Sequence, residues 1–231
     1  MQRRKFTSGV VTVGGLWALS ASSALRAADL TESDAALGIR AALERGAVAA
    51  VGLLGRSGGF LNNPKVRIEL PGYLKDAAKV LQFTGQQRRV DELVTAMNRA
   101  AEAAVPEAKA LLVNAVKAMS VEDGRQILTG GDNSATQFFA TKTRAPLGVK
   151  FLPIVTKATE KVSLADKYNK VAGQAASLGL VGRDDANIQS YITGKALDGL
   201  YLIIGEEERK IRQDPIGTGS AILKKVFGSL R

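Results

Sequence analysis

Glu208 is the side chain in this chain best placed to do chemistry. At about 100° per residue on a helix over 197–211, it falls on the apolar stripe between Ile204 and Ile211, while Glu206 points away. A carboxylate on a buried face is pushed toward its neutral form, a property shared by general acids. The plainer role is an ion pair with Arg212, four residues on and on the same side. Asn98, Arg99 and Glu102 make a second group, one turn deep beside the apolar face of their own helix. They suit either a polar cluster in a cleft or a buried amide that satisfies backbone ends between helices. Lys195 and Asp198 could join either group. A third group is cationic: Lys150, Lys157 and Lys161 align along one helix flank, as a binding face for an anion or as an ordinary solvated surface.

Composition narrows the chemistry sharply. The chain has no cysteine and no histidine. Disulfides, thiolate or imidazole metal sites and every Ser-His or Cys-His nucleophile arrangement are excluded. No D-x-D-x-D-G loop offers an oxygen cage for calcium, so neither a metal nor a cofactor is expected. Gly55-Arg56-Ser57-Gly58-Gly59 lacks the Lys-Ser/Thr of a phosphate loop and reads as the end of a helix. What remains is a pair of carboxylates acting on glycan, with Glu102 and Glu208 as the pair. That chemistry needs the two groups roughly 5–10 Å apart in an open groove.

The elements that would position these residues are helices. Leu37, Leu43, Ala47, Val51 and Leu54 mark a first helix, entered from Thr31 or Ser33 and ended by Gly55. Val66, Ile68 and Leu70 alternate with charged residues, which predicts an extended connector rather than a paired strand. Pro71 opens a helix to Gly85, and Val90, Leu93, Val94, Met97, Ala101 and Ala104 face the core from the next one. Pro106 starts a further helix, and Ser120 with Asp123 forms a capping box for a short one that ends at Gly130-Gly131. Residues 132–134 cap a helix over 135–142. A separate one carries Leu147, Phe151, Ile154, Val155, Ala158 and Val162, kinked at Pro153. Ser163 caps a helix to Leu178, Asp184 or Asp185 begins the next, and 197–211 forms a long one. Ile222, Leu223, Val226 and Phe227 suit a short docking helix at 221–230. The expectation is an all-α fold, a single irregular multi-helix domain of about eight to ten short helices over 28–231.

Residues 1–27 read as an export signal. Arg3-Arg4-Lys5-Phe6 forms a basic start, Val10 to Leu19 a short, weakly apolar core, and Ala24 and Ala27 offer cleavage sites. The Arg-Arg-x-Phe arrangement resembles a twin-arginine signal. Four of the 32 basic residues precede the cut, so 28 remain against 22 acidic ones and the formal charge falls from +10 to +6. Most of the excess lies between Lys142 and Lys170. In an exported, periplasmic protein such a patch points to an anionic ligand or an envelope component, not to nucleic acid, and to weak contact with a membrane surface.

Several segments, in order, resemble a bacterial family of exported proteins known as domain of unknown function 4197. They include 59–63 with Val66-Arg67-Ile68, Met97 to Glu102, Ile127 to Gly130, Lys195 to Leu200, Glu206-Glu207-Glu208 with Ile211-Arg212, and Lys225-Val226-Phe227-Gly228. The resemblance spans nearly all of the chain after the signal and implies one domain, but no activity. Three functions follow from the residues: a non-enzymatic envelope binding or interaction protein, an envelope glycan hydrolase, and a peripheral membrane-surface protein using the basic helix face. Export itself is directly testable. Intact mass of periplasmic material should place the new N-terminus at Ala28, and Arg3→Lys with Arg4→Lys should block export. Normal export of that double variant would leave general secretion as the route.

Overall fold

The computed structural model describes residues 32–72, 87–160, 165–166, 168–169 and 187–214. Among them are six α-helices and no strand: α1 (Glu32–Leu54), α2 (Gln87–Ala104), α3 (Ala108–Lys117), α4 (Val121–Thr129), α5 (Ser134–Thr159) and α6 (Ile188–Gln213). A single 3-10 turn, Val105–Glu107, joins α2 to α3. Pro106 sits in that turn, where its missing N–H costs nothing. The all-helical class holds. Several helices are longer than the sequence pattern implied: the two expected around 135–142 and 147–162 are one 26-residue α5, and α6 begins at Ile188. The expected helices over 71–85 and 163–178, the cap at Asp184 or Asp185 and the docking helix at 221–230 fall largely or wholly outside the described residues.

α5 and α6 form the central pair. α1 lies against α6 on one side, α2 covers α5 on the other, and α3 and α4 close the gap between α1 and α5. In α5 the buried positions recur every fourth residue, at Ala135, Phe139, Thr143, Leu147, Phe151, Val155 and Thr159. Four residues turn the helix by about 400°, so this stripe drifts by about 40° per step and winds round the helix. α5 can therefore meet different neighbours along its length. The expected stripe was straighter: Leu147, Phe151 and Val155 are buried as anticipated, but Ala158 is exposed. Thr143 and Thr159 enter the core because each hydroxyl donates to the carbonyl four residues back, Phe139 at 2.7 Å and Val155 at 2.9 Å. Pro146 and Pro153 do not end α5, because both lie on its exposed face. The carbonyls they deprive of a donor, on Lys142 and Val149, belong to exposed residues where water can serve them.

Two glycine sites set the packing of the α1–α2 link. Gly58 has φ +82°, and a Cβ on Gly59 would lie 2.3 Å from the Leu54 carbonyl oxygen, so the chain folds tightly back over the end of α1. This is the helix-end role the sequence implied. Val66 closes a further turn on the Asn63 carbonyl, Ile68 and Leu70 follow on a connector paired with no strand, and all three are buried, as the alternation anticipated. In α1 itself Leu37 is exposed, and Ile39 rather than Leu37 supplies the early core contact. On α6, a Cβ on Gly199 would come within 2.8 Å of the Phe60 ring and 3.2 Å of Val66 Cβ. Gly199→Ala should therefore push the connector off α6 and cost about 1–3 kcal/mol of stability, as overpacking does. Thermal unfolding checks this, with the open site of Gly194→Ala as the control.

Candidate functional site

Glu208 lies where the helical spacing put it, at 7 % exposure on the inner face of α6. Its bond to Arg212 is present, with the guanidinium donating from Nε at 3.1 Å and from Nη2 at 2.9 Å. The carboxylate has a second set of partners that no local pattern announces. Oε1 accepts the Ala135 N–H at 3.0 Å, and Oε2 accepts the Thr136 N–H and hydroxyl, both at 2.9 Å. These are free donors of the first turn of α5, so Glu208 caps that helix from another element. Asn133, at the N-cap position, makes no side-chain cap, which corrects the expectation that residues 132–134 would supply it. A carboxylate at a helix N-terminus is also favoured by the helix dipole.

Arg212 extends the same brace to α4. Its Nη2 donates to the Ile127 carbonyl at 2.8 Å and to Ser134 Oγ at 2.7 Å, and Ser134 Oγ donates to the same carbonyl at 2.7 Å. One ion pair thus ties the end of α4, the start of α5 and the inner face of α6. The cavity beside it, lined by Ile39, Leu43, Phe139 and Ile204 among others, holds about 30 Å³. That is the size of one water molecule and too small for a substrate.

The second group also comes together, around the connector. Asn98 is fully buried. Its side-chain oxygen accepts the Ile68 N–H at 2.8 Å, and its amide nitrogen donates to the Ile68 carbonyl at 2.9 Å and to Val94 at 2.8 Å. The amide stands in for a neighbouring strand. Glu102, at 5 % exposure, accepts the N–H groups of Phe60 and Leu61, each at 3.1 Å, and binds Arg99 at 2.6 Å. Arg99 in turn donates to Ser57 Oγ at 2.8 Å. Burial pushes the Glu102 carboxyl up, but the Leu61 N–H, Arg99, and the Phe60 and Gly58 N–H groups together hold it below its ordinary value of 4.5.

Lys195 joins neither cluster. It lies 3.8 Å from Asp198 and over the Tyr191 ring, on the wall of a surface groove between the connector and α6. Asp198 is bound more closely by Arg144 of α5 at 2.6 Å, and Arg144 also covers the Tyr201 ring. Burial raises the Tyr201 pKa, against the opposing effects of the Thr143 hydroxyl bond and Arg144. The five candidate polar residues are therefore three separate arrangements, not one site. Each of the two carboxylates expected to act on glycan is tied to an arginine and shut from solvent. Of the basic face, Lys150 and Lys157 are exposed on α5, and Lys161 lies outside the described residues. Among the described residues no cluster of three or more acidic side chains could hold a metal, and no helix is long and apolar enough to cross a membrane.

Residues 29–228 match the family model described as a protein of unknown function, DUF4197. The chain belongs to that family. No curated protein and no solved structure matches it. The matched span covers both buried braces.

The braces generate paired expectations. Glu208→Ala should leave the half-buried Arg212 without its carboxylate and two helix N–H groups open, and cost about 1–3 kcal/mol. Glu102 has a depressed folded pKa, so its contribution is present above the unfolded value and lost as pH falls below about 4.5. Urea unfolding across that window should show wild-type stability declining more steeply than that of Glu102→Gln. Parallel curves would mean that Glu102 does not anchor the 57–61 turn.

Proposed function

We propose that this chain is a non-enzymatic periplasmic protein of the cell envelope, exported by residues 1–27. On this reading residues 28–231 form one domain of about eight to ten helices, which binds or contacts an envelope component through the outward face of α5. The observation that carries it is the contrast between buried and exposed chemistry. Glu102, Glu208 and Asn98 are buried and spend their hydrogen bonds on backbone groups, a hydroxyl and arginines, which turns them inward, away from any substrate. The outer face of α5 carries instead Val149, 77 % exposed, and Leu152, 41 % exposed, with Lys150 and Lys157 beside them. Large apolar side chains held out in water, beside lysines that have no ion pair among the described residues, favour a contact surface over a catalytic one.

A photo-reactive phenylalanine analogue placed at Val149 or at Leu152 and activated in intact cells tests this reading. Both positions should give the same defined adduct, absent from a control position at Val121, which is also exposed. Equal labelling from all three positions, or none from α5, would overturn it. Glycan hydrolysis would be revived only by measurable activity that is lost in both Glu102→Gln and Glu208→Gln while each variant stays folded.

A further inference from the structure

We infer that the occupant of the α5 face is an anionic phospholipid surface, met side-on at the depth of the headgroups. This rests on the reading of α5 as the contact face and names its partner. The 26 residues of α5 include Lys142, Arg144, Lys150 and Lys157 and not one Asp or Glu. A helix face kept only for solubility carries both signs, paired three or four residues apart. Here the first carboxylate along the chain is Glu160, just past the helix end, and it bridges to neither Lys157 nor any other described residue. Arg144 is engaged by Asp198, whereas Lys150 and Lys157 have no hydrogen bond or ion pair among the described residues.

The arrangement of the face selects among partners. Lys150 and Lys157 are two turns apart on one flank, about 10 Å along the axis. Between and beside them Pro146, Val149, Leu152 and Pro153 are all exposed. The surface is a convex helix, with no aromatic anchor and no amide or carboxylate pointing outward from its middle. A protein partner is usually held by aromatic or arginine anchors seated in pockets. A glycan is held by planar rings and by side chains that both donate and accept, and the exposed middle of this stretch offers only lysine donors. A fluid anionic surface needs neither. It asks for aliphatic side chains at the acyl boundary and lysine stems that carry their charge back to the phosphates. The two prolines set the depth. They leave the Lys142 and Val149 carbonyls without an intrahelical donor, so this face must stay within reach of water and cannot sink into hydrocarbon. Two lysines contribute about fivefold each to partitioning, so contact is weak and reversible.

The test uses the mature chain and vesicles of phosphatidylcholine with or without phosphatidylglycerol, read by co-sedimentation. Binding should require phosphatidylglycerol and fall away at high salt. Lys150→Gln with Lys157→Gln should weaken it about tenfold or more, and Val149→Ser severalfold, with unchanged thermal unfolding because all three residues are exposed. Val149→Trp should give a blue-shifted emission on anionic vesicles only. Failure to bind anionic vesicles, or binding unaffected by these variants, would overturn the lipid assignment. Should the α5 cross-link persist in that case, the contact face stands and its partner is a protein or a glycan.

Discussion

The buried Glu208–Arg212 pair is the interaction on which the rest of the arrangement depends. A carboxylate removed from water carries a penalty of several kcal/mol unless its lone pairs are met. Here they are met by two backbone N–H groups and a hydroxyl from the first turn of α5, and by the Arg212 guanidinium. The guanidinium then uses its remaining reach on the Ile127 carbonyl, near the end of α4. Such a pair adds little net stability compared with a well-packed apolar substitute. What it does fix is geometry. Any shift of α4, α5 or α6 against the others leaves a buried charge or an unmet helix end, so the three elements are held in one relative placement.

The same logic recurs at the other end of the core, with a different residue set. From Gly55 to Pro71 the chain forms neither helix nor strand, yet Phe60, Val66, Ile68 and Leu70 are buried within it. Buried irregular backbone needs partners that a helix or sheet would have provided. Asn98 supplies them for Ile68 and Glu102 for Phe60 and Leu61, both from α2. In a chain without histidine or cysteine and with few aromatic residues, the buried Asn98, Glu102 and Glu208 serve the backbone. This is why the most reactive-looking residues are the least available for reaction.

The parts of this scheme that were legible in the sequence are the local ones. The Ser120–Asp123 capping box is present in both directions, the apolar face of α2 is buried as the spacing required, and Glu208 does pair with Arg212. Each of these lies within a single helix and its cap. The capping of α5 by Glu208 joins residues 72 apart, and nothing in the spacing of Thr136 points to it. A polar residue on an apolar stripe could have been read as a demand for a partner, but not for which one. The continuity of α5 was missed for a different reason. Proline inside a helical pattern signals a break or a kink, and only the tertiary setting shows that the freed carbonyls at Lys142 and Val149 face water.

The winding of the buried stripe connects the brace to the surface of the molecule. Because buried positions in α5 recur every fourth residue, the face turned to solvent also rotates, by about 240° over six such steps. No single side of α5 is outward along its whole length. Near its start the buried edge is set by Ala135 beside Glu208, and near its middle by Leu147 and Phe151. Val149 and Leu152 are exposed because the helix has turned by a fixed amount between the capped first turn and the middle. A straight stripe drawn from Leu147 through Ile154 to Val162 already sets the lysines on a flank and Val149 nearly opposite, about 170° away. The winding decides instead which neighbour each part of the helix meets. The first turn of α5 is held by the carboxylate of α6, so an ion pair inside the molecule fixes the rotation of the helix and with it the side chains presented to the outside.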